Sequence, residues 1–293
     1  MTHDPETLAP RIRRLTGREP RSWRAVHRGY TAAARYVVGF ADGSSAFVKA
    51  AVDGGTAAWL RMEQRVYDQV DADFVPRRIA WEDGDAPLML LEDLSDGVWT
   101  FAWSPDDIER TRRLLDRLAA TVLPAEFPPL GDHADEFQGW RSVAGDPDGF
   151  LSLGLASADW LSSALPILVE AEQAIRLDGT ALVHMDVRSD NLCFHGERTL
   201  LVDWNWARRG NPAYDRVFWL PTVHMEGGPA PWDTTLAEPE IIAAAAGYFA
   251  ARAHLPPDAH PAGPAIRTLQ RRQLESALPW AARALGLPLP DGR

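Results

Sequence analysis

His184, Asp186 and Asn191 stand in the spacing H-x-D-x-x-x-x-N, and a second carboxylate, Asp203, follows twelve positions after the asparagine. Asp186 and Asn191 fall on a turn-rich stretch, Arg188-Ser189-Asp190-Asn191, that favours a tight irregular loop. An apolar run at 192–194 leaves the loop, His195-Gly196-Glu197 turns the chain, and 200–202 returns beside the first run. That hairpin predicts Asp203 beside Asn191. A carboxylate and an amide oxygen suit Mg²⁺, which takes few protein oxygens and completes its shell with water and phosphate. Asp186 is then free to accept a proton from a hydroxyl.

This stretch resembles the catalytic core of protein kinases, where H-R-D-x-x-x-x-N is followed by a metal-binding aspartate. Met185 stands where the arginine would be, and Asp203-Trp204-Asn205 replaces D-F-G. With those departures the chain looks more like the aminoglycoside phosphotransferase family, the small-molecule branch of the superfamily, which also holds choline, homoserine and antibiotic kinases. The resemblance spans residues 23–285, and its specific part is 182–207. It implies a two-lobed α+β fold: an antiparallel sheet with a helix in the N-terminal lobe and a mainly helical C-terminal lobe. It also implies ATP or GTP as phosphoryl donor and Mg²⁺ at Asn191 and Asp203.

The elements that must position these residues begin with a short helix opened by Asp4-Pro5 and stopped by Gly17. Strands follow at 23–28, 34–40 and 45–50, the last two joined across Asp42-Gly43. The turn Arg28-Gly29-Tyr30-Thr31 has one glycine, and an ordinary hairpin competes with a phosphate-covering loop. The resemblance implies the latter, a reduced loop that assigns Gly29, Tyr30 and Thr31 to the nucleotide. Lys49 interrupts an apolar strand and reads as a solvent-facing residue or a buried cation with a partner. Apolar neighbours and the helix that follows at 56–70 favour the second reading. Glu63, between Trp59 and Val66 on the inward face, is its candidate partner, with a solvated glutamate as the alternative. In kinases such a pair aims the lysine at the α- and β-phosphates. Strands at 78–81 and 88–91 complete the lobe. Residues 91–97 are the hinge, so the lobes are 1–93 and 94–293. Backbone groups there, at Glu92 and Leu94, meet the purine by the same resemblance.

In the C-terminal lobe Ser104-Pro105-Asp106-Asp107 caps a helix. Residues 124–150 read as a long loop, either an acidic solvated segment or a substrate wall around Trp140. A central helix at 157–175 leads into the catalytic loop. Arg208-Arg209 falls in a turn. The resemblance makes Asp215, at the start of the next helix, a prop for the catalytic loop and His184 an orienting residue. Helices at 239–252 and 264–285 close the chain and wall the acceptor site in the resembled family. Arg188 is placed either to neutralise the transferring phosphoryl group or as a surface loop arginine.

Composition bounds the function. The net charge of −11 argues against nucleic-acid binding, which needs basic patches. The single cysteine, Cys193, allows no internal disulfide and fits a reducing, cytoplasmic setting. The first ten residues lack the apolar core of a signal peptide, and no apolar run reaches membrane-spanning length. The expected activity is transfer of a nucleotide γ-phosphoryl group to a hydroxyl of a small molecule, an antibiotic or amino sugar. A sugar or amino alcohol is the alternative acceptor. Asp186 and Arg188 act on the reacting groups. The rival from another class is a catalytically silent nucleotide-binding or partner-binding protein, against which the intact set Lys49, Asp186, Asn191 and Asp203 weighs. A protein kinase is disfavoured by the short span between Asp203 and Asp215 and the missing A-P-E.

Overall fold

The computed structural model describes residues 4–27, 32–99, 102–234, 237–257 and 263–292. The chain forms two compact units, Met1–Phe101 with Ser189–Ala207, and Ala102–Arg188 with Arg208–Arg293.

The first unit is built on a five-stranded antiparallel sheet in the order β1 (Pro20–Ala25), β2 (Ala34–Phe40), β3 (Ser45–Ala50), β5 (Leu88–Glu92), β4 (Arg78–Glu82). Alternation along the strands sends side chains to opposite faces. Ala46, Val48 and Ala50 of β3 and Leu88 and Leu90 of β5 meet Leu8 and Ile12 of helix α1 (Pro5–Thr16). Met89 and Leu91 face the other way and pack on Ala57 and Leu60 of helix α2 (Gly54–Gln69). Lys49 belongs by register to this second face, opposite Met89 on one side and Arg35 on the other. A capping box between Asp53 and Thr56 fixes where α2 starts, three residues after β3 ends. The hairpin of Leu192–His195 and Arg198–Leu201 also belongs to this unit, with Gly196 at φ 57° in its turn. Val98 pairs with Phe194, and Leu94 packs on Cys193 and Leu200.

The second unit is mainly helical: α3 (Pro105–Ala120), α4 (Gly139–Gly145), α5 (Pro147–Leu151), α6 (Ala158–Gln173), α7 (Ala213–Met225), α8 (Pro231–Thr234), α9 (Pro239–Ala250) and α10 (Pro264–Ala284). The centre is α9, buried on nearly every side as its largely apolar sequence demands, with α4, α6, α7 and α10 packed against it. Where α4 crosses α9, Gly139 lies so close that a Cβ there would stand 1.9 Å from the Gly247 carbonyl oxygen.

Residues 124–150 are not a continuous loop. They fold into a 3₁₀ segment, Leu130–Phe137, followed by α4 and α5. Trp140 is fully buried, and its indole N–H donates to the Ala243 carbonyl at 2.8 Å, so it is core and not a substrate wall. The two N–H groups that open α4, those of Trp140 and Arg141, donate to the carboxylate of Glu172, 32 and 31 positions away. Arg208–Gly210 is likewise a short strand, paired with Ala181–Val183, and not a turn. Among the described residues no helix is long and apolar enough to cross a membrane.

Candidate active site

In the first unit the Lys49 ammonium is held between two carboxylates. It donates to Glu63 of α2 and, at 2.5 Å, to Asp203. Lys49 and Glu63 are 6% and 1% exposed, so their pairing is dry, while the Asp203 side chain keeps 24% of its surface open. Burial alone would strip the ammonium of its proton. The charges of Asp203 and Glu63 outweigh it, so the net displacement of the Lys49 pKa is upward. Burial pushes Glu63 up to about 8 against the pull of Lys49. Burial opposes the charge on Asp203 too, but Lys49 and a hydrogen bond from Glu63 hold it well below the usual carboxylate range.

Asp203 follows the hairpin's second strand in a left-handed conformation, φ 67° and ψ 56°. Aspartate tolerates that region better than most residues because its short side chain bonds locally. Val202 N–H donates to the Asn191 carbonyl at 3.0 Å, which closes the hairpin and places Asn191 and Asp203 at the same end of it. No group of three or more His, Cys, Asp or Glu side chains able to hold a metal occurs among the described residues. A cation at this end would take charge from Asp203 and a neutral oxygen from the buried Asn191. Two protein oxygens of this kind, with the remaining positions left to phosphate and water, fit Mg²⁺.

The hinge residues are already tied. The Glu92 carboxylate accepts from Arg77 N–H and pairs with Arg198, while the Leu94 carbonyl accepts from Gly97 N–H and the Trp99 indole. Gly29, Tyr30 and Thr31 lie outside the described residues.

In the second unit the loop 184–188 is propped from below. The Asp215 carboxylate on α7 accepts from the backbone N–H of His184 at 2.7 Å and of Met185 at 2.9 Å. Burial pushes Asp215 up to about 7 despite these two bonds. Met185 is held at φ 68°, costly for a long side chain. His184 is fully buried, and its Nδ1 accepts from Asp186 N–H at 3.2 Å. These bonds fix the backbone on both sides of Asp186. Its side chain pairs with Arg188 at 3.3 Å, so the two catalytic candidates stand together.

Beside Asp186 and Arg188 lies a cavity of about 80 Å³ walled by Tyr214 and Phe218 of α7, Tyr248 of α9, and Gln270 and Gln273 of α10. Sequence reasoning assigned none of these five to the site. Tyr214, Phe218 and Tyr248 have the helical periodicity of ordinary core. The available signal was on α10: two glutamines three positions apart on a face that otherwise reads Ile266, Leu274, Ala277 and Leu278.

A family model described as the phosphotransferase enzyme family matches residues 22–256. No curated protein sequence matches the chain significantly. Among solved structures, a spectinomycin phosphotransferase in complex with ADP and spectinomycin is 13% identical, with 98% of this chain and 94% of that one covered and a TM-score of 0.58. An aminoglycoside phosphotransferase from Alicyclobacillus acidocaldarius is 13% identical over 90% of each chain, TM-score 0.56. An amicoumacin kinase in complex with AMP-PNP, Ca²⁺ and its antibiotic is 12% identical over 93% of each, TM-score 0.56. These likenesses identify the fold as protein-kinase-like. With four-fifths of its length matched by the family model, the chain belongs to the phosphotransferase enzyme family.

Proposed function

We propose that this protein transfers the γ-phosphoryl group of ATP or GTP to a hydroxyl of a small molecule, with an antibiotic or amino sugar as the acceptor class. The observation that carries the reading is the Lys49 ammonium gripped by Glu63 and Asp203 in a dry setting. An ion pair buried as deeply as Lys49 and Glu63 costs desolvation energy that stability alone does not require. A role in binding polyphosphate accounts for it. The names of the structural neighbours, which act on spectinomycin and amicoumacin, support the acceptor class.

In this reading Lys49, oriented by Glu63, binds nucleotide phosphate oxygens. Gly29, Tyr30 and Thr31 cover the phosphates, and Glu92 and Leu94 meet the base through their backbone. Asn191 and Asp203 would hold Mg²⁺, which supplies neutralising charge to the phosphates when bound. Asp186, fixed through His184 and Asp215, orients the acceptor hydroxyl and takes its proton. Arg188 neutralises charge on the transferring group. The work is positioning and electrostatics, as expected for a loose phosphoryl-transfer transition state.

The test is a nucleotide-consumption screen over aminoglycosides, nucleoside and peptide antibiotics, sugars and amino alcohols. Consumption that requires both an acceptor and Mg²⁺, with phosphate found on the acceptor, is the expected result. Tight nucleotide binding with no acceptor-dependent consumption across the screen would favour the catalytically silent alternative.

A further inference from the structure

The cavity beside Asp186 has a chemical character that the family assignment does not give. Its walls are rings and amides. Tyr214 and Phe218 stack at 4.1 Å, and Tyr248 meets Phe218 edge-on at 5.7 Å. Among its described lining residues Asp186 is the sole acid, and that charge is paired with Arg188. Two nearby acids do not line it and are already engaged: Glu226 accepts from the Trp103 indole, and Glu136 pairs with Arg252.

Gln270 and Gln273 are each 6% exposed and sit three residues apart on α10, hence on one face. The Oε1 of Gln270 accepts from the Arg267 guanidinium at 2.9 Å, which fixes the orientation of the amide because arginine can only donate. Its NH₂ group has no bond to any described residue. The NH₂ of Gln273 donates to the Thr222 hydroxyl at 2.9 Å, and its carbonyl has no partner among the described residues. The cavity therefore offers one amide donor and one amide acceptor side by side. Neither atom is sealed in the core, so a ligand can take the place of water on both. The Arg267 charge behind Gln270 polarises that amide and strengthens its donor. The same charge repels a cation.

We infer that the acceptor's recognition group is an uncharged flat ring with a carbonyl beside an N–H, as in a lactam or imide. It would seat between the aromatic walls, with its carbonyl on Gln270 and its N–H on Gln273. At about 80 Å³ the cavity suits a single ring rather than a polycyclic ligand. This rests on the phosphotransferase reading for the role of Asp186 and narrows its acceptor class away from polycationic amino sugars.

Calorimetric titration of the full chain tests it with three probes: uridine, which carries an imide edge; 3-methyluridine, in which the N–H is blocked; and kanamycin, a polycation. The expected result is measurable uridine binding, at least tenfold weaker for 3-methyluridine and at least tenfold weaker in Gln273→Leu and Gln270→Leu, with kanamycin weaker than uridine. Circular dichroism and Mg·ADP titration of the variants separate a lost contact from a lost fold. Absent uridine binding, uridine binding indifferent to methylation or to both glutamine variants, or tighter binding of kanamycin overturns the inference. The two readings fail separately. Kanamycin phosphorylated in an Asp186-dependent reaction leaves the phosphotransferase reading standing and the cavity inference fallen. Uridine held by the glutamines with no hydroxyl compound ever phosphorylated does the reverse.

Discussion

The Lys49 cluster and the Asp186 cavity solve opposite problems. Around Lys49 charge meets charge within the unit, Lys49 and Glu63 are closed to water, and the β3 and α2 scaffolds fix the geometry before anything binds. Around Asp186 the backbone is fixed just as firmly, by Asp215 and His184, but the surroundings are rings and half-used amides. In the proposed function charge serves a partner that is always the same, a nucleotide phosphate. Neutral shape and single hydrogen bonds serve a partner that must be told from its analogues, because an unpaired buried polar group penalises the wrong ligand more than a lost contact does.

The sharpest way to break the first half of this contrast is Lys49→Met. It leaves Glu63 buried beside Asp203 with no cation between them, and removing one member of a buried ion pair costs about 3–5 kcal/mol. Urea denaturation should show that loss, together with weaker Mg·nucleotide binding. A variant as stable as the parent would mean that the triad is open to water.

Gly139→Ala addresses the second half through its scaffold. The added Cβ would fall on the Gly247 carbonyl and force α4 from α9, the helix that carries Tyr248. Overpacking of this kind costs typically 1–3 kcal/mol. The expected outcome is a lower Tm and a raised acceptor KM, with Mg·ADP affinity in calorimetry unchanged. Loss of nucleotide affinity by the same factor would show that the two regions do not behave independently.

Asp215 gives a smaller, pH-dependent effect. Its folded pKa of about 7 lies above the ordinary aspartate value, so the fold favours the protonated acid. Its contribution to stability is accordingly present below about pH 4 and declines as pH rises through about 7. Function runs the other way, since only the carboxylate accepts fully from both His184 and Met185. Turnover should fall on the acid side of about pH 7, and Asp215→Asn should flatten that limb at a reduced plateau. A profile with the same acid limb in the variant would assign it to another group.

The sequence made the first region and the loop of the second readable, but not the cavity beside that loop. β2 and β3 lie at 34–40 and 45–50 as their alternation predicts, and the hairpin after Asn191 has the expected turn at Gly196. Those are local signals: period-two patterning, turn residues, caps. Residues 124–150 defeated the same reading because α4 has no local cap. Its first N–H groups are satisfied by Glu172, which local rules cannot connect to them. The cavity was hidden for a related reason. Its walls come from three helices, each with ordinary core periodicity, and only folding brings Tyr214, Tyr248 and Gln270 to Asp186.

The most direct test of phosphoryl transfer at Asp186 is single-turnover kinetics of Asp186→Asn on the acceptor found by the screen, with Mg·ATP affinity measured on the same protein. The substitution keeps shape and removes the base. The rate should fall about 10²–10⁴-fold, the usual contribution of a general base, while nucleotide affinity stays within a factor of two or so, well under 1 kcal/mol. A variant that transfers phosphate at the parent rate would contradict the account.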